Sequence, residues 1–291
     1  MQLLDGKKAA QTIRYELKLD VAQLAIEGKK IPHLVAILVG NNPASETYVS
    51  AKVKACEEVG FKSTLVRFEN DEDERILLNQ ISDFNNDPDV DGILVQLPLP
   101  KQISSENVIN AIDPSKDVDG FHPESIGKMV QGQPTFIPAT PYGIMLMLEH
   151  YKIETKGVHA VVVGRSNIVG RPISILLNNN TSPGNATVTV CHSQTKNMKE
   201  ICLQGDLIVA AMGRPGFITK DMVKDGAVVI DVGITRVEDA TRKTGFRLRG
   251  DVDFENVADK CSWITPVPGG VGPMTIAALL KNTYRSCLMK N

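Results

Sequence analysis

At 291 residues, with 42% hydrophobic and 23% charged side chains, the chain has an ordinary globular composition and room for one large or two medium domains. Its 32 Lys and Arg against 34 Asp and Glu leave a net charge of −2, so nothing basic invites nucleic acid or an anionic membrane surface. Cys56, Cys191, Cys202, Cys261 and Cys287 make no CxxC pair and no zinc spacing with the histidines, charged Asp5, Lys7 and Lys8 stand where a signal peptide is apolar, and no apolar run is of membrane-spanning length. The expectation is a cytoplasmic protein, or the mature form of an organellar one, with reduced thiols, no metal centre and no membrane or nucleic-acid partner.

In chain order, residues 7–27 predict a helix, with Ala10, Ile13, Leu17, Val21 and Leu24 spaced by three and four. "HLVAILVG" (33–40) reads as a strand buried on both faces, as in parallel sheets. "SETYVSAKVKACEEVG" (45–60) is an amphipathic helix with one anomaly. At about 100° per residue, with Tyr48 at zero, Val59, Cys56 and Val49 fall between about 20° and 100°. Lys52 falls near ~40°, inside that apolar arc, whereas Lys54, Glu57 and Glu58 lie outside it. "STLVRF" (63–68) and "DGILVQLPLP" (91–100) are further strands, separated by a helix over 72–85. Residues 113–140, dense in Pro, Gly and Asp, read as a long irregular loop of the kind that carries function or links domains.

That loop ends at Thr140-Pro141, which predicts a hydroxyl N-cap with proline at the first helical position. After the helix, "VHAVVVGRSNIVGRPISILLNN" (158–179) restarts the strand–turn–helix pattern, followed by strands at 186–190, 206–213 and 227–233. "TPVPGGVGPM" (265–274) is a punctuated loop before a last helix, 274–288. Alternating strands and helices give an α/β protein with parallel pairing. The pattern places a domain break near 140 and lets the last helix pack on either domain; the expected division is 1–140, joined by the C-terminal helix 274–291, and 141–273.

"VVVGRSNIVGRP" (161–172) is a glycine-containing turn between strand and helix, where backbone N–H groups and a helix N-terminus can face a phosphate. It departs from GxGxxG: Ser166 stands at the second glycine and Gly170 comes one residue late. An ordinary βα turn is the alternative. The next strand ends at Cys191-His192-Ser193, without the carboxylate that binds ribose hydroxyls in NAD sites. Arg165 can face a 2′-phosphate, which favours NADP over NAD. Taken alone, Arg165 reads as a surface arginine and His192 as a structural or exposed histidine.

Three features of the first half combine. Lys52 follows Tyr48 by one turn, Gln96 ends an apolar strand, and Asp119 lies in "KDVDGFH". Singly they read as a chance i,i+4 pair, a strand-end polar residue and a turn. Together with "DGILVQLPLP", "PSKDVDGFHPESIG", "PATPYGI", "VVVGRSNIVGRP", "ATVTVCHSQT", "DLIVAAMG", "VVIDVGI", "GDVDF" and "ITPVPGGVGPMTIAALLKNT", they make almost the whole chain resemble the bifunctional methylenetetrahydrofolate dehydrogenase/cyclohydrolase family.

The resemblance implies an N-terminal α/β substrate domain and a Rossmann-type nucleotide-binding domain with a folate cleft between them. It implies NADP-dependent oxidation of 5,10-methylenetetrahydrofolate, then hydrolysis of the methenyl product to 10-formyltetrahydrofolate, by a homodimer acting on tetrahydrofolate derivatives. The family's catalytic lysine, tyrosine, glutamine and aspartate fall on Lys52, Tyr48, Gln96 and Asp119. Substrate contacts fall on Tyr48, Val95, Leu97, Asp119, Pro268, Gly269 and Gly270. Cofactor contacts fall on Gly164, Arg165, Ser166, Ile168, Gly170, His192, Ser193 and Ile234. Residues 178–185, "NNNTSPGN", form a slightly long loop in a region that some NAD-preferring relatives also lengthen. The rivals are a dehydrogenase with little cyclohydrolase activity, a non-catalytic dinucleotide sensor, and a short-chain dehydrogenase. In the last, Tyr-x-x-x-Lys normally follows the nucleotide motif; here it precedes it.

Overall fold

The computed structural model describes residues 1–242 and 245–290. Its first half contains β1 (Gln2–Leu3), α1 (Gly6–Ile26), β2 (His33–Val39), α2 (Pro43–Val59), β3 (Lys62–Phe68), α3 (Glu74–Asn86), β4 (Gly92–Val95), α4 (Ser105–Ala111), α5 (Pro123–Val130) and α6 (Ala139–His150). The second half adds β5 (His159–Val163), α7 (Gly170–Asn178), β6 (Thr187–Cys191), α8 (Met198–Cys202), β7 (Leu207–Ala210), β8 (Val228–Asp231), β9 (Thr235–Glu238), β10 (Phe246–Arg249), α9 (Phe254–Val257), β11 (Trp263–Ile264) and α10 (Val271–Leu288). The chain divides into two compact units, Met1–Ala10 with Thr140–Thr275, and Gln11–Ala139 with Ile276–Asn291.

The second of these units is built on a parallel sheet in the order β3-β2-β4. All seven residues of β2 are buried, as its uninterrupted apolar run requires of a central parallel strand. One face packs Val35, Ile37, Val39, Ile93 and Val95 against Leu77 and Ile81 of α3. Helix α2 begins where its residues dictate. The Asn42 side chain accepts from the Ala44 and Ser45 N–H groups, Pro43 takes the first position, and Gly60 closes the last turn in the left-handed region at φ 83°. The stretch 113–140 is more ordered than its composition suggests: it contains α5, capped by His122 Nδ1 accepting from Glu124 N–H, with Pro123 in the first turn. Proline at a helix start and Glu124 paired with Lys128 were the legible signals.

The other unit carries a parallel six-stranded sheet, β1-β11-β8-β7-β5-β6, and an antiparallel β9–β10 pair. Residues 1–10, expected with the catalytic domain, lie here because Gln2 and Leu3 pair in register with Trp263 and Ile264. Helix α6 starts at Ala139, one residue before the expected cap, and the Thr140 hydroxyl is 3.0 Å from that of Thr275. Val161, Val163, Ile208, Ala210, Val229 and Ile264 form the heart of this unit's core. Strand β5 lies between β6 and β7, so crossovers leave it in opposite directions. Such a topological switch point leaves a crevice at the carboxyl ends of the strands, where nucleotides bind.

Candidate active site

Helix α2 points Lys52 inward. Its buried positions, Ser45, Val49, Lys52, Ala55, Cys56 and Val59, form one arc, and Lys52 is only 6% exposed. Its ammonium donates to Gln96 Oε1 at 3.1 Å. Gln96 follows the last residue of β4; its backbone N–H continues the ladder to Ile37 O at 2.9 Å, and its side-chain amide donates to Leu97 O at 2.7 Å. That second bond sets which end of the amide faces Lys52: the oxygen. Tyr48, one turn before Lys52, is half-buried, and burial raises its phenol above the ordinary range.

Burial also drives the Lys52 ammonium below the usual lysine range, opposed in part by the negative charge of Asp119. Desolvation lifts the Asp119 carboxyl, and the Lys52 charge pulls it back. Each group is pushed toward neutrality by loss of water and held charged by the other. Lys52 is thereby an amine that gives up its proton more readily than a solvated lysine.

The segment around Asp119 is tightly determined. Asp117, two residues earlier, is buried and accepts from Phe121 N–H at 3.1 Å, His122 N–H at 2.8 Å and Ser125 Oγ at 2.8 Å. Desolvation pushes Asp117 up to about 6 despite those bonds. Gly120 adopts φ +72°, and a Cβ there would meet the Ile137 carbonyl carbon at 2.6 Å. Only glycine fits both requirements. Asp117 was invisible in the sequence as anything but a neighbour of Asp119.

Of the other expected substrate contacts, Leu97 is half-buried, while the Val95 side chain packs within the core with Ile93. In the other unit, Pro268 is exposed, but Gly269 and Gly270 are buried against the start of α1. Gly269 O accepts from Lys7 N–H at 3.1 Å, and a Cβ on Gly6 would stand 1.7 Å from Gly270 O. That approach depends on the missing Cβ of Gly6, while a Cβ on Gly270 would meet Pro266 O and the Thr265 Cβ at 2.7 Å.

The nucleotide crevice gathers most of the expected cofactor residues. Gly164 N–H donates to Cys191 O at 2.9 Å, which ties the turn after β5 to the end of β6 and brings residues 164–170 beside His192 and Ser193. Gly164 has φ +135°, and a Cβ would lie 2.2 Å from Ala211 O. The Ser166 hydroxyl accepts from Val169 N–H at 3.2 Å and Gly170 N–H at 3.3 Å, so it caps α7 and keeps its own proton to donate. Arg165, Ser166 and Ile168 in this turn, Ser193 after β6 and Ile234 after β8 are exposed. His192 makes local bonds: its backbone N–H donates to Thr195 Oγ1 at 2.8 Å and its Nδ1 accepts from Gln194 N–H at 3.2 Å.

Two buried carboxyls lie in the same unit. Asp231, at the end of β8, accepts from Gly233 and Asp251 N–H with Oδ1 and from Val252 N–H with Oδ2. Asp251 Oδ2 accepts from Met212 N–H at 2.7 Å and Gly213 N–H at 2.9 Å after β7. The two together join the segments that follow β7 and β8. Among the described residues, no group of three or more His, Cys, Asp or Glu is arranged to hold a metal ion, and no helix is long and apolar enough to cross a membrane.

Both halves of the chain match family models: the tetrahydrofolate dehydrogenase/cyclohydrolase catalytic domain over residues 4–119, and the NAD(P)-binding domain of the same family over 138–291. The Bifunctional protein FolD of Cytophaga hutchinsonii is 60% identical over 290 residues, covering 100% of both chains. The crystal structure of the bifunctional FolD methylenetetrahydrofolate dehydrogenase/cyclohydrolase from Campylobacter jejuni is 47% identical and superposes with a TM-score of 0.93 over 100% of both chains. The Trypanosoma brucei dehydrogenase-cyclohydrolase, complexed with NADP cofactor and inhibitor, is 36% identical with a TM-score of 0.92, covering 98% of this chain and 96% of that one. With matches of this extent at both the sequence and the structural level, the chain belongs to the tetrahydrofolate dehydrogenase/cyclohydrolase family.

Proposed function

We propose that this protein oxidises 5,10-methylenetetrahydrofolate to the 5,10-methenyl form with NADP as hydride acceptor, then hydrolyses the methenyl bridge to 10-formyltetrahydrofolate. The observation that carries the reading is Lys52, buried on an apolar helix face, bonded to Gln96 and electrostatically coupled to Asp119.

In the first step a hydride leaves the methylene carbon for the nicotinamide, and the cation formed is stabilised by its two flanking nitrogens. No base is needed, only positioning. Tyr48 supplies a flat face for the aminobenzoyl portion. In the second step water adds to the methenyl carbon, one C–N bond opens, and a proton is released. Neutral Lys52 relays that proton, held in place by Gln96 Oε1, and the substrate's own positive charge favours the neutral amine further. Asp119 receives the pterin amino and ring N–H groups. Arg165 and Ser193, at the carboxyl ends of β5 and β6, would hold the 2′-phosphate of NADP. The working form is a cytoplasmic homodimer assembled through the nucleotide-binding domain.

The test is a spectrophotometric assay with NADP or NAD, in which methenyl absorbance rises and then decays. Lys52→Met is expected to keep part of the rise and to lose the enzymatic decay by about 10²-fold or more. Decay at the wild-type rate would remove Lys52 from the hydrolytic step. A rise without decay in the wild type would favour a dehydrogenase with little cyclohydrolase activity.

A further inference from the structure

The C-terminal half of α10 lays polar side chains on the backbone of the segment that carries Asp119. Asn282, buried, donates one amide hydrogen to Val118 O at 2.8 Å and the other to Ile137 O at 2.9 Å. One turn on, Ser286 Oγ reaches Asp91 O at 2.7 Å and Ser115 O at 3.0 Å. The two carbonyls that Asn282 joins bracket the site. Val118 immediately precedes Asp119, and Ile137 crowds Gly120, which immediately follows it. The Asp119 carbonyl in turn accepts from Ala139 N–H at 3.2 Å. The backbone of residues 118–120 is thus pinned to residues 137–139, and the Asn282 side chain that joins the two segments comes from more than a hundred residues away.

We propose that Asn282 is a positioning residue for the folate site, setting where the Asp119 carboxylate stands by holding Val118 and Ile137 together. The inference rests on the reading of Asp119 as a folate-binding group. An asparagine amide has two N–H donors, which match two carbonyls. A side chain without them leaves both carbonyls buried and unpaired, and the segment moves to find water.

The experiment compares Asn282→Ala, Asp119→Ala, the double variant and Ser286→Ala by steady-state kinetics and thermal melting. Asn282→Ala is expected to raise KM for methylenetetrahydrofolate by about tenfold or more while KM for NADP stays within about twofold. In the Asp119→Ala background, Asn282→Ala is expected to add no further loss of kcat/KM for folate, because it acts through the residue already removed. Ser286→Ala, on the same stripe, is expected to lower Tm without raising the folate KM. Additive losses in the double variant, or an equal KM effect from Ser286→Ala, would mean general loosening and overturn the proposal. A silent Asn282→Ala beside an impaired Asp119→Ala would overturn this inference alone. A folate KM unchanged in Asp119→Ala would remove Asp119 from the site, and Asn282 with it. Should the alanine variant not fold, Asn282→Ser, which keeps one donor, gives the same comparison.

Discussion

Lys52 and Lys54 are two residues apart in one helix and have opposite fates. Lys54 is exposed, while Lys52 sits among Val49, Ala55, Cys56 and Val59. The angle on the helix was enough to separate them, because a helix face is a local property. Arg165 is the complementary case, an exposed arginine in the turn after β5. Its role depends on charge rather than packing. Arg165→Ala is expected to raise KM for NADP by about tenfold or more and to leave KM for NAD nearly unchanged, since only NADP carries the extra phosphate. Equal effects on both cofactors in steady-state assays would mean that Arg165 does not read the 2′-phosphate.

Between β7 and β8, secondary structure alone does not shape the crevice; the buried Asp231 and Asp251 do. Burial lifts Asp231 from 3.8 to about 7, against three backbone N–H donors and with the Asp251 charge adding to the rise. The native state therefore keeps a proton that the unfolded chain gives up near pH 4. The resulting contribution to stability is fully present below the unfolded value and is lost as pH rises through about 7, worth about 4 kcal/mol across that window. Melts between pH 5 and 8 should show stability falling in this range. Asp251→Asn keeps an acceptor for Met212 and Gly213 and removes the charge beside Asp231, so it should flatten the profile in part. A variant as steep as the wild type would exclude the pair as its source. The strands here are legible in the sequence but the pairing of these carboxyls is not, because apart from Gly233 their partners lie 20 or more residues away.

Each unit has a core of its own, one around β2 and β4 and one around β5, β7 and β8. Strand β6 is an edge of the six-stranded sheet and carries Val190, 37% exposed. Edge strands left bare invite pairing, and a second copy is one way to cover them. Sedimentation velocity should give a species of twice 31.7 kDa, and Val190→Lys should weaken it. A wild-type protein sedimenting at 31.7 kDa at micromolar concentration would contradict the homodimer.

Periodicity and turn chemistry determined the inward lysine and the strand–turn–helix at 161–172 through neighbours within a few residues, and the alternation of strands and helices along the chain implied the α/β class with parallel pairing. Three features were decided only by tertiary structure. Residues 1–10 belong with β11 through two register pairs. Gly269 and Gly270 pack on the chain's own N-terminal segment. The Asp119 segment is tied to residues 137–139 by Asn282. The reason is the same in each case. Hydrogen bonds and close packing between residues far apart in the chain leave no local pattern, so a strand of two residues or an asparagine late in a helix shows its purpose only when the fold brings its partners within reach.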